Sequence, residues 1–227
     1  MSATFPTLAV CIGTINNVVV ERENEKIRQL KHAVYAEVRA KYNIERLKEH
    51  PVVRAYRDFY WKLGIDPTKT RPSGEALLRR VLHGGELPTI STAVDAYNLA
   101  SMKTVIPMSG FDMDALNPPF SVRFAEKGEP FTGIGMDKPL ALESNMLVLA
   151  DTKRVLCVYP HKDADQTKIT EKTKRVLLVG YGAPGITVQQ LEEAVRTALD
   201  YIMAACGGET QTVKVFSPTP KQVLGVC

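Results

Sequence analysis

The chain has 227 residues, 44% of them hydrophobic, which is enough to bury a full core in one large domain or a domain with an appended lobe, and this excludes intrinsic disorder. A net charge of +4 is a mild excess of Lys and Arg; it permits a nucleic-acid partner without being the composition of a dedicated polyanion binder. Cys11, Cys157, Cys206 and Cys227 form no C-x-x-C pair, no apolar run approaches bilayer length, and Met1 to Pro6 lacks the basic-then-apolar pattern of a signal peptide, so a reducing cytoplasmic setting without a membrane partner is expected.

Thr7 to Val20 is β-branched and apolar, with Gly13 and Asn16-Asn17 as punctuation, and reads as a strand or a hairpin of two short strands. From Arg22 to about Tyr42 the chain is highly charged, and Ile27, Leu30, Val34 and Val38 recur at steps of three and four, the stripe of a surface helix. Pro51 opens a second helix with Val53, Tyr56, Phe59, Tyr60 and Leu63 on its apolar face, the chain's only Trp, Trp61, and Gly64 as a left-handed stop. After a loop from Asp66 to Pro72, Ser73 is placed to cap a helix from Gly74 to His83 that carries Arg79-Arg80 and closes at Gly84-Gly85. A fourth helix spans roughly Ser91 to Lys103, and Pro107 forces the backbone out of it.

Beyond that point the texture is β. Strands are expected at Phe120 to Phe124, Phe131 to Ile134, Asn145 to Ala150, Arg154 to Tyr159 and Lys174 to Val179, with turns at Gly128 and Asp151-Thr152-Lys153. Helical periodicity returns from Thr187 to Cys206, and the tail holds one strand, Thr212 to Phe216. Helices first, then a run of strands, then one late helix is an α+β order rather than the alternation of a parallel sheet.

Gly180-Tyr181-Gly182-Ala183-Pro184-Gly185 is formally G-x-G-x-x-G, but the acid some 20 positions on, Asp200, falls inside the same helix and no βαβ unit follows. A structural strand-to-helix turn is the better reading. His161, Asp163 and Asp165 alternate on an extended segment and would share a side, yet no second His lies near, so a polar pocket wall is preferred to a metal site. No nucleophile elbow, P-loop or Cys-His pairing is present. His32, His50 and His83 have ordinary structural readings. Asn98 and Asp112 either converge across the loop or, the simpler reading, tie down that loop and cap a turn.

Thr89-Ile90-Ser91-Thr92-Ala93-Val94-Asp95-Ala96-Tyr97-Asn98, then Pro107, Phe111-Asp112, Arg123, Gly128-Glu129, Asp151 and Thr167 to Thr173 resemble the B3/B4 domain of the β subunit of bacterial phenylalanyl-tRNA synthetase. That domain hydrolyses tRNA mischarged with tyrosine. Freestanding B3/B4-domain proteins are more similar still, through Arg57, Leu63-Gly64, Asp66-Pro67, Arg71 to Arg80 and Leu87-Pro88. The resemblance implies a three-layer α+β fold with an unusual β-sandwich and flanking helices. It divides the chain into an N-terminal strand and helix extension (1–55), the domain (56–207) and a C-terminal tail (208–227).

For function the resemblance implies a domain that binds tRNA or an aminoacyl group, with trans-editing hydrolysis of mischarged tRNA as the activity. A non-catalytic module for an amino acid or small metabolite is the rival. Asn98, Ser109 and His161 are the catalytic candidates; Asn98, Asp112, Glu129, His161, Asp163 and Thr173 would bind the substrate; Arg79, Arg80 and Lys103 would contact RNA. No cofactor or metal enters. The synthetase pocket has a His where this chain has Ser109, and a substrate-reading Glu where it has Val179; a double-glycine stretch is replaced by Tyr159-Pro160-His161-Lys162-Asp163. A buried tyrosyl hydroxyl would lack its acceptor, at a cost of about 1 to 3 kcal/mol, so a different, polar or charged guest is expected.

Overall fold

A computed structural model describes residue 5 and residues 7–218. The β-branched segment near the start forms one strand, β1 (Val10–Asn16), which ends where Asn17 turns at φ 60°. Five α-helices follow the apolar periodicities: α1 (Glu25–Lys41), α2 (Pro51–Lys62), α3 (Ser73–Leu82), α4 (Thr92–Thr104) and α5 (Val188–Cys206). Asn24 caps α1 by accepting from the Ile27 N–H, and Thr187 with Gln190 forms a capping box on α5. Ser73 is not the expected cap. It lies inside α3 with its hydroxyl buried and unpaired, because the chain already turns helical after Pro72.

The strands are β2 (Met108–Asp112), β3 (Ser121–Phe124), β4 (Pro130–Phe131), β5 (Leu140–Ala141), β6 (Leu147–Ala150), β7 (Val155–Val158), β8 (Lys162–Asp163), β9 (Arg175–Tyr181) and β10 (Glu209–Phe216). One antiparallel sheet has the order β10-β1-β9-β2, a second β3-β6-β7-β8, and β4 pairs with β5. β1 and β10, which lie on either side of residues 56–207 in the chain, therefore share a sheet with β9 and β2. Of the segment Phe131 to Ile134 only Phe131 lies in a strand, with Gly133 making an isolated bridge to Ala164, and β2 stands where the sequence reads as loop.

The architecture is α+β in three layers. α5 covers the first sheet so closely that a Cβ on Gly13 or Gly180 would sit 2.7–2.8 Å from Val195. Gly182 lies equally tight on the Ala9 backbone, so the glycines of the apparent fingerprint serve packing. On the other face the second sheet stacks through buried tyrosines: the Tyr159 and Tyr181 rings meet edge-on at 4.7 Å, and the Tyr159 hydroxyl donates to the Gly182 carbonyl at 2.8 Å. α2 closes the flank, with Tyr56 donating to the Tyr181 carbonyl at 2.6 Å and Phe59 against Tyr159. Val148 and Val158 turn outward onto a satellite cluster with Phe131, Leu142 and Ala164.

Candidate functional site

Strand alternation decides which β2 side chains meet the second sheet. Gly110 faces α4, where a Cβ would come 2.7 Å from the Tyr97 ring, so Ser109 and Phe111 point the other way. Ser109 stands opposite Val179 on β9, and both look into the seam between the sheets. From β8, Asp163, paired in register with Cys157, reaches into the same seam. The Ser109 hydroxyl donates to Asp163 Oδ1 at 2.5 Å, closing 54 residues of sequence into one contact.

The surroundings are nearly apolar. Ser109 is 3% exposed, Cys157 and Tyr181 are fully buried, and the Tyr181 hydroxyl has no hydrogen-bond partner although Cys157 and Ser109 lie beside it. Burial pushes the Asp163 carboxyl up to about 6, against the pull of the Ser109 hydroxyl and the Cys157 thiol. Burial, then the Asp163 charge, also holds the Tyr97 phenol and the Cys157 thiol above their ordinary ranges. A carboxyl titrating near 6 beside a hydroxyl can bind an ammonium group or accept a proton from water.

The other sequence candidates fall into distinct settings. Asp112 accepts from Thr173 Oγ1 at 2.8 Å and from the Asp114 N–H at 3.0 Å, tying the end of β2 to the start of β9. Glu129 forms a two-pronged pair with Arg123 at 2.9 and 2.6 Å. Asn98 is half-buried on α4, and among the described residues its carboxamide has no protein partner. His161 lines a separate cleft beside α2, its ring 6.4 Å from that of Tyr60. Arg79 is bound to Glu75 at 2.6 Å and Lys103 to Glu37 at 2.8 Å, whereas Arg80 is exposed and in no salt bridge among the described residues. Among the described residues no group of three or more His, Cys, Asp or Glu is placed to hold a metal ion. No helix among them is long and apolar enough to cross a membrane.

Cys157 and Tyr181 escaped the sequence reading because a lone Cys or Tyr in an apolar strand looks like core. Their proximity to a carboxylate is a tertiary property.

Fold and seam together define an α+β domain with a polar contact buried between two stacked sheets. The B3/4 domain family matches residues 55–207, and the chain belongs to that family. Among curated relatives, the phenylalanine–tRNA ligase β subunit of Idiomarina loihiensis is 25% identical over 173 residues, covering 66% of this chain and 21% of that protein. The same subunit of Carboxydothermus hydrogenoformans is 31% identical over 121 residues, 52% of this chain and 15% of that protein. The chain thus spans about a fifth or less of the length of these relatives. An N-terminal fragment of the phenylalanyl-tRNA synthetase β subunit from Pyrococcus horikoshii aligns over 88% of this chain and 46% of its own length, at 14% identity and a TM-score of 0.47.

Proposed function

We propose that the chain binds the aminoacyl end of tRNA at the seam between its two sheets and hydrolyses the ester of a mischarged amino acid. The observation that carries this reading is the Ser109–Asp163 contact, at the position where the resemblance places the editing pocket. Family membership supports it, and the curated relatives are tRNA ligase subunits. Ionised Asp163 would receive the α-ammonium group or a proton from the attacking water, and the Ser109 oxygen, its proton engaged by Asp163, would orient that water. Asn98, half-buried on α4 and without a protein partner for its carboxamide among the described residues, is the side chain assigned to the developing oxyanion. Of the three basic residues proposed for RNA contact, Arg80 is the one free to meet phosphate, and its contribution should weaken with salt.

The test is deacylation of a panel of mischarged tRNAs. The expected result is hydrolysis of at least one member, rising as pH passes about 6 and falling by about 100-fold in Asp163→Asn, with a smaller loss in Ser109→Ala. If every panel member decays as in buffer, the hydrolase reading is wrong. Salt-sensitive binding of tRNA without hydrolysis would leave a binding module.

A further inference from the structure

Two stretches that stand out in the sequence take no part in the seam: Leu63-Gly64-Ile65-Asp66 after α2, and the turn at His161-Lys162 between β7 and β8. They form opposite walls of one cleft, of about 410 Å³. That volume lies in the range of small-molecule sites, roughly 300–1,000 Å³. The cleft is distinct from the seam because Lys162 and Asp163 are consecutive on β8 and leave opposite faces of the strand.

Its floor is apolar, from Ile65, Phe131, Leu140, Met146 and Val158. Leu140, also in the lining, remains 44% exposed. The loop wall is held in shape without a ligand. Gly64 turns at φ +74°, the Ile65 N–H donates to the Tyr60 carbonyl at 2.8 Å, and Asp66 Oδ1 accepts from the Thr68 N–H and hydroxyl at 2.8 and 2.7 Å.

The charges at the rim are unbalanced. Asp66, the one acid in the lining, is engaged by Thr68. Lys69 and Lys162 form no salt bridge among the described residues. The Lys162 stem lies over Gly133, where a Cβ would come 2.7 Å from its Cε, so a side chain there would displace it. Asn145 and His161 add hydrogen-bonding groups.

We propose that this cleft binds a small carboxylate with an apolar body, the body against Ile65, Phe131 and Met146 and the carboxylate between Lys69 and Lys162. This assignment stands apart from the hydrolase reading, and each can fail alone. Calorimetric titration of the whole chain with octanoate, 3-phenylpropionate, octan-1-ol and octylamine tests it. Both carboxylates should bind saturably, the alcohol at least tenfold more weakly, and the amine not at all. The Lys69→Glu/Lys162→Glu double variant changes only exposed side chains and should weaken octanoate at least tenfold with its melting temperature kept. Leu140→Trp should block the mouth to every probe. The proposal is overturned by no saturable carboxylate binding to the wild type, by alcohol or amine binding as tightly as octanoate, or by octanoate affinity unchanged in both variants.

Discussion

Glu75 and Asp163 are both carboxylates drawn into the packed protein, and their surroundings act on them in opposite ways. At the α2–α3 junction Glu75 is wholly buried, gripped by Arg57 through two bonds of 2.8 and 2.6 Å and by Arg79 at 2.6 Å. Burial alone would raise its carboxyl, but the two guanidinium groups win and hold it below the ordinary glutamate range. At the seam Asp163 meets only a hydroxyl and a thiol, and burial wins. The difference follows the partners: Glu75 is the more deeply buried of the two, yet its carboxyl is the one held low. A carboxylate matched by fixed cations has its charge spoken for and serves the fold; one held by neutral donors keeps unspent affinity for a cation or a proton. That contrast makes Asp163 the candidate for chemistry and Glu75 a fixture of the scaffold.

The largest expected effect tests the scaffold half. Glu75→Gln leaves Arg57 and Arg79 partly buried without their counter-ion and should cost about 3–5 kcal/mol in urea denaturation. A loss within 1 kcal/mol of wild type would erase the contrast. Next comes the pH dependence of the seam. The Asp163 carboxyl is raised from 3.8 to about 6, so the native state holds that proton more tightly than the unfolded chain does. The stability this supplies is complete below the unfolded value and is lost as pH rises through about 6. Asp163→Asn should therefore match wild type near pH 3.5 and exceed it by about 2–3 kcal/mol at pH 8. A constant difference across that range would mean that Asp163 is not desolvated in the native state.

Four of the five helices were legible because each carries a 3.6-residue stripe, as in the Ile27-Leu30-Val34-Val38 series, whereas α4 is buried on nearly every side and was marked by its Ser91 start and by Pro107 after it. β6, β7 and β9 announced themselves as apolar β-branched runs between turn residues. β2 did not. Met108-Ser109-Gly110-Phe111-Asp112 alternates in no hydrophobic sense, because Gly110 is small to admit Tyr97 and Ser109 is polar to meet Asp163. The family motif pointed to Ser109 as a position, but its partner is 54 residues away and only the stacking of the sheets names it. His161 and Asp163 were expected to share a side; the turn after Val158 instead puts His161 in the outer cleft and Asp163 in the seam.

Asp112 stands between the two extremes and gives the smallest and most discriminating test. It is half-buried like Asp163, yet its donors are the Thr173 hydroxyl and the backbone of its own turn. The Thr173 hydroxyl also accepts from the Thr170 N–H at 3.0 Å, so it closes a loop and caps a strand at once. Thr173→Val keeps the shape and removes both bonds, which should cost about 1–2 kcal/mol. If these bonds account for Thr173 fully, deacylation by the folded variant stays within about threefold of wild type. A tenfold loss at unchanged fold would bring Thr173 and Asp112 into the substrate site and extend the seam along the whole length of β2. Retained activity would confine the chemistry to the end of the strand where Ser109 meets Asp163.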